Sequence, residues 1–117
     1  RLNQMRKWTL RFRLRDKSNF EEVRGGSKSI ETRAATPRYR EIKTGDVVVF
    51  VCGDKRFEKK VIKVKMFRSI PAMLKVIDFK RIMPSIKSTS EMQQVYHSYP
   101  NYKEKIKKFG IVALELE

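Results

Sequence analysis

Lys28, Glu31 and Arg33 place two cations and one carboxylate within six residues of the stretch GGSKSIETR. A carboxylate beside two cations can neutralise and orient one of them while the other holds a phosphate or polarises a carbonyl. That chemistry suits nucleotide binding. Lys28 and Glu31 would also be the catalytic residues of a hydrolytic site, with the carboxylate activating water as a general base. In a regular strand Glu31 and Arg33 share one side and Lys28 takes the other, so convergence of all three requires a bend or bulge. Without it the stretch is a solvated strand edge carrying one ion pair.

A second group of chemically useful side chains lies in YHSYPNY, residues 96–102. Tyrosine rings stack on bases and hydroxyls reach phosphates, which makes Ser98 and Tyr99 candidate nucleic-acid contacts. Tyr96 falls in phase with Met92 and Val95 and is assigned to the core; Tyr99 stays open between core and stacking. His97 and Ser98 are helix neighbours about 100° apart, so they form no catalytic dyad on their own. With one histidine and one cysteine the chain lacks a zinc-ligand set, and no carboxylates repeat at calcium-loop spacing. Gly25 and Gly26 are not followed by a phosphate-loop Lys-Ser or Lys-Thr. No metal or cofactor is expected.

The net charge of +15 on 117 residues exceeds what solubility requires and costs self-repulsion that an anionic partner relieves. RNA or single-stranded nucleic acid is the leading partner. A membrane surface would call for a basic amphipathic helix or a lipidation signal, and no apolar run reaches the roughly 18 residues of a spanning helix. The lone Cys52, inside VVVFVC, reads as a buried thiol of a reducing compartment, hence a cytoplasmic protein. Two arginine groups extend the positive surface: Arg11, Arg13 and Arg15 along one predicted strand face, and Arg38, Arg40 and Lys43 in the loop after Arg33. Such contacts hold phosphates without reading sequence. Lys103, Lys105, Lys107 and Lys108 read as a solvated face.

Strict alternation over RKWTLRFRLRD predicts a strand with Trp8, Leu10, Phe12 and Leu14 inside. SNFEEVRGG predicts a short helix with a Ser18–Glu21 capping box and a glycine stop. KSIETR is extended, and TPRYREIKTGD is a loop with room for one helical turn. VVVFVC and FEKKVIKVKMF form an antiparallel pair around GDK. SIPAMLKVID is a helix with Pro71 near its first turn, and STSEMQQVYHSY is a helix capped by a Ser88–Glu91 box. NYKEKIKK is a short helix or ordered loop, and IVALELE an alternating closing strand. These elements make one α+β domain over residues 5–117, a small β-barrel of five to six strands with short covering helices. Residues 1–4 read as a tag remnant or an extension.

In this order, GGSKSIETR, IKTGDVVVF, VIKVKMFRSIPAML, IMPSIKSTSEMQQVYHSY and KKFGIVALELE resemble the ASCH domain, a family of PUA-like barrels. The resemblance spans nearly all of residues 20–116. Gly26, Lys28, Glu31 and Arg33 match the family's Gly-x-Lys-x-x-Glu-x-Arg pattern, Gly45 and Asp46 its Gly-Asp turn, and Gly110 its closing Gly-hydrophobic strand. Pro84–Ser88, followed by a tyrosine-bearing helix, is most similar to small stand-alone archaeal-type members. The resemblance implies a barrel with a cleft beside the Lys-x-x-Glu-x-Arg segment for RNA or a modified nucleoside. It also implies an alternative, a hydrolase, because one relative is an N4-acetylcytidine amidohydrolase and another a ribonuclease. The amidohydrolase carries a nucleophilic threonine three positions after its motif lysine; here that position is Glu31, which cannot form the same covalent intermediate. A protein-interaction module is a third reading of the same charge.

Overall fold

A computed structural model describes residues 4–117, so residues 1–3 of the stretch assigned to a tag remnant or extension lie outside the described residues. The alternation around Trp8 and Leu10 makes strand β1, Lys7–Arg11, with both apolar side chains buried. The strand ends earlier than its sequence pattern suggests. Arg13 pairs with Asp16 at 2.7 Å, a 3₁₀ turn follows over Leu14–Asp16, and Leu14, expected inside, is 72% exposed. Arg11, Arg13 and Arg15 therefore do not line one strand face.

Helix α1, Lys17–Gly25, starts one residue before the expected cap, so no Ser18–Glu21 box forms; Glu21 pairs with Arg24 instead. Gly26, at φ 92°, closes the helix as the left-handed residue that glycine supplies without a Cβ penalty. Strand β2 covers Ile30–Ala34, β3 Val47–Cys52 and β4 Lys55–Phe67, with the predicted hairpin between the last two. Helix α2 is confined to Ile70–Leu74, capped by Ser69 with Pro71 in its first turn, and the chain then passes through a 3₁₀ turn at Phe79–Arg81. Helix α3, Thr89–Ser98, has Ser88 accepting from the Glu91 N–H, while the Glu91 carboxylate accepts from the Lys87 N–H. Only half of the box is reciprocal. Helix α4, Tyr102–Phe109, leads into β5, Ile111–Leu116.

The strands form one mixed five-stranded sheet in the order β1-β3-β4-β5-β2, with β1 and β3 parallel and the other neighbours antiparallel. It is an open sheet where a closed barrel was expected. Among the described residues no backbone ladder joins the two edges, β1 and β2. Side chains span the gap: Arg33 donates to the Arg11 carbonyl and Arg38 to the Thr9 carbonyl, each at 3.2 Å.

Both faces of β5 are buried, where a half-buried alternating strand was expected, because a core packs on each side of it. Val112, Leu114 and Leu116 join Trp8, Phe20 and Phe50 in one core; Ile111 and Ala113 join Met73, Met92 and Tyr96 in another. Gly110 precedes the strand at φ 82°, and a Cβ there would sit 2.5 Å from the Phe67 carbonyl oxygen, so the close approach of the chains requires glycine.

Asp46 fastens β1 to the start of β3. Its carboxylate accepts from Trp8 Nε1 and the Lys43 N–H at 2.9 Å and from the Arg6 N–H at 3.1 Å. Burial pushes its pKa up, but these donors outweigh it and hold the carboxyl below the usual range. A folded-state pKa below the unfolded one stabilises the fold above about pH 4, a contribution lost as pH falls through the folded value. Asp46→Ala, which leaves the buried indole N–H unpaired, should cost roughly 3 kcal/mol in urea unfolding at neutral pH, and the gap to the parent should narrow on acidification. An unchanged midpoint would contradict this role.

Candidate nucleotide cleft

Sequence alternation separates Lys28 from Glu31 and Arg33, but Lys28 stands before the strand. Its N–H is bound by the Glu22 carbonyl as part of the α1 ending, and ladder pairing with β5 begins only at Ser29, whose carbonyl accepts from Leu116. The helix cap supplies the required bend. Lys28 Nζ then lies 3.4 Å from Glu31 Oε1 and donates to the Ile82 carbonyl, while Arg33 Nε donates to Glu31 Oε2 at 2.7 Å. The side chains of Lys28 and Glu31 are 5% exposed and that of Arg33 is 15% exposed, so the edge is not solvated.

Two cations thus share one carboxylate, and the cluster carries one uncompensated positive charge when both are protonated. Burial pulls the Lys28 pKa down, opposed by Glu31. Burial also works against the Arg33 charge, but Glu31 outweighs it and the guanidinium is held more firmly protonated than usual. The expected division of labour, one cation neutralised and the other free, is replaced by a carboxylate with both oxygens engaged.

Beside the cluster opens a cleft of about 180 Å³, with Phe12, Thr32, Tyr96, Tyr99 and Tyr102 contributing to its wall and Arg11 and Arg13 at its rim. This is smaller than the roughly 300–1,000 Å³ of sites for drug-sized ligands. It suits one ring system with a polar substituent. The three tyrosines stand edge to face, at 6.4 Å between Tyr96 and Tyr99 and 5.3 Å between Tyr99 and Tyr102. Arg13 covers the Tyr99 ring at 5.3 Å and Arg33 covers Phe12 at 5.2 Å. Tyr96 is core, as its helical phase predicted, but its hydroxyl meets that of Thr32 at the cleft.

Because β2 is an edge strand, residues from both of its faces reach the cleft. Pairing of Ser29 with Leu116 and of Ala35 with Gly110 sets the parity, so Ile30, Thr32 and Ala34 turn their backbone polar groups away from β5. The Ala34 N–H is taken by the Tyr102 hydroxyl at 3.3 Å. Thr32, between them, presents its N–H and carbonyl to the open edge that lines the cleft.

Of the remaining sequence candidates, Arg38 lies against Tyr39 and the β1 edge, and Arg40 clamps the Ala35 and Phe109 carbonyls, both at 2.8 Å. These are structural contacts. Lys43 is exposed beside the Asp46 turn, and the Ser98 hydroxyl donates to the Val95 carbonyl at 2.6 Å; neither lines the cleft. Sequence reasoning left out Phe12 and Thr32 as site residues, and placed Tyr102 in the tyrosine segment without assigning it a contact. The signal for Tyr102 was its place just after Pro100 and Asn101, whose left-handed φ of 61° starts α4 at the cleft wall. Among the described residues no group of three His, Cys, Asp or Glu side chains could hold a metal ion, and no helix is long and apolar enough to cross a membrane.

Two solved structures share this architecture. The hypothetical protein PH0355 is 32% identical with a TM-score of 0.83, over 95% of this chain and 97% of its own. PF0455 from Pyrococcus furiosus, solved by NMR, is 31% identical with a TM-score of 0.74, over 95% of this chain and 96% of its own. The chain belongs to the family of PH0355 and PF0455. Neither name states a function. No protein-family model and no curated protein matches the chain.

Burial pushes the Tyr99 phenol up to about 12, aided by Asp16 and Glu31, and raises Tyr102 as well. A phenol whose folded pKa exceeds its unfolded value of about 10 stabilises the fold fully below pH 10, and that contribution is lost as pH rises through the folded value. Alkaline titration followed at the tyrosinate absorbance should show one phenol ionising near pH 12 that disappears in Tyr99→Phe. Loss of an ordinary phenol near pH 10 instead would contradict the buried placement.

Proposed function

We propose that the chain is an ASCH-type, PUA-like RNA- or nucleic-acid-binding protein that takes one base or nucleotide into the cleft beside Lys28, Glu31 and Arg33. The observation that carries this reading is the buried cluster of two basic side chains on one carboxylate, opening onto an aromatic wall. A buried charge in excess is costly unless a counter-charge meets it, and an anionic group of the ligand supplies one. Tyr99 and Phe12 line the cleft with Arg13 and Arg33 over their rings, an aromatic and guanidinium lining of the kind on which bases stack, and the Thr32 backbone offers a donor and an acceptor for a base edge. Arg11 and Arg13 at the rim, with the overall charge of +15, suit a polyanion. The five-stranded sheet with bridged edges and the motif residues Gly26, Lys28, Glu31, Arg33 and Gly110 are what support the ASCH assignment.

Hydrolysis is the less favoured use of the cleft. Each Glu31 oxygen already faces a cation, which leaves a water only the remaining lone pairs of a carboxylate held in place by two ion pairs, and the Thr32 hydroxyl is engaged with Tyr96.

Arg33→Ala removes the surplus charge and leaves Lys28 and Glu31 as a neutral pair. Fluorescence anisotropy with a labelled single-stranded RNA should show at least a roughly tenfold loss of affinity for this variant and for Tyr99→Ala, the latter from lost stacking. Lys108→Ala, at the far end of α4, should bind like the parent. Parent-like binding by both cleft variants, with their thermal unfolding intact, would contradict the proposal; turnover of RNA or acetylated cytidine that depends on Lys28 and Glu31 would favour the hydrolase.

A further inference from the structure

A second concavity, of about 220 Å³, lies between β4–β5 and the segment that follows α2. Lys63, Lys65, Arg81 and Glu115 line it, with Val76 and Ile77 on the helical side. The lysines reach it through a β-bulge. Ahead of the irregularity at Val61 and Lys63, Phe57 and Val61 turn toward the first core; beyond it Val64 does, paired with Leu114. The parity switch carries Lys63 and Lys65 to the opposite face.

The charge in this groove is unbalanced. Glu115 is held by Arg81 at 3.1 Å, and among the described residues neither Lys63 nor Lys65 has a carboxylate within 4.0 Å. As residues i and i+2 of one strand they project side by side about 6.6 Å apart, a spacing similar to that of neighbouring phosphates on an extended nucleic-acid strand.

The two concavities share a wall. Lys28–Ile30 and Arg81–Met83 build it: the Ser29 N–H donates to the Arg81 carbonyl, Arg81 Nε donates to Ser29 Oγ, and Lys28 Nζ donates to the Ile82 carbonyl. Met83 lines the nucleotide cleft and Arg81 the second groove. On the Arg81 side of this wall lie Lys63 and Lys65.

We propose that the Lys63–Lys65–Arg81 groove is a phosphate-backbone subsite for the nucleotides flanking the one in the cleft, so that the ligand is a single-stranded oligonucleotide and not a free nucleoside. The inference rests on the nucleotide reading of the cleft. It adds the substrate class: phosphodiester groups on one side of the wall, a base on the other.

The test compares the parent with Lys63→Glu/Lys65→Glu and with Lys63→Ala/Lys65→Ala, all exposed or half-exposed positions. Each is titrated with a labelled RNA of about 12 nucleotides by anisotropy and with a nucleoside monophosphate by calorimetry. Both double variants should lose at least tenfold in affinity for the RNA, and the slope of log K against log salt should become shallower by about 1.4 for two lost phosphate contacts. Their monophosphate affinity should equal the parent's. Parent-like RNA affinity and salt slope would overturn the subsite while leaving the cleft reading in place, provided Arg33→Ala still weakens binding at least tenfold. An equal loss for the monophosphate would overturn it too, by showing a general charge effect. Competition by poly-glutamate as strong as that by RNA would assign the groove to an acidic protein partner instead. Failure of the parent to bind either probe would remove both readings.

Discussion

The structure around the cleft depends on one carboxylate shared by two buried cations. Removing Lys28, Glu31 and Arg33 from water costs several kcal/mol per ion, and their attraction repays that only with good geometry and further hydrogen bonds. Those bonds are present: Lys28 also reaches the Ile82 carbonyl and Arg33 the Arg11 carbonyl. Through these contacts the cluster ties β2 to the segment after α2 on one side and to β1 on the other. The proposed anion site and the bridging of an open sheet are therefore the same set of interactions.

The fold serves this cluster by keeping β2 at an edge. A central strand would spend both rows of its backbone groups on neighbours, whereas β2 spends one row on β5 and turns the other toward the cleft. Edge strands invite unwanted pairing; here arginine side chains, the Tyr102 hydroxyl and the α3–α4 tyrosines occupy the space where another strand would add. Gly110 allows β5 to enter close beside Phe67, and Asp46 secures β1, whose Arg11 carbonyl receives Arg33.

Elements governed by local rules were legible in the sequence. The Val47–Cys52 and Lys55–Phe67 hairpin follows from β-branched runs around a Gly-Asp turn, and the Ser88 cap, the Gly26 stop and the buried Tyr96 from spacing alone. Tertiary competition decided the rest. Asp16 drew Arg13 into an ion pair and ended β1 early, exposing Leu14 against its alternation. The convergence of Lys28 with Glu31 was hidden because a helix ending, not the strand, sets its direction. Arg38 and Arg40 looked like phosphate ligands because their carbonyl partners lie 29 and 69 residues away in the chain. A bulge moved Lys63 and Lys65 to a face that simple alternation from Phe57 would not give them.

A buried ion cluster retained for stability and one retained for a ligand differ in what happens when it is replaced whole. The decisive measurement is the RNA affinity of the combined variant Lys28→Met, Glu31→Leu, Arg33→Met, taken together with its unfolding free energy beside that of Glu31→Gln alone. The single change strands two buried cations and should cost about 3–5 kcal/mol, whereas the apolar replacement should stay within about 2 kcal/mol of the parent and bind no RNA. A stable apolar variant that binds RNA with the parent's affinity would contradict the account.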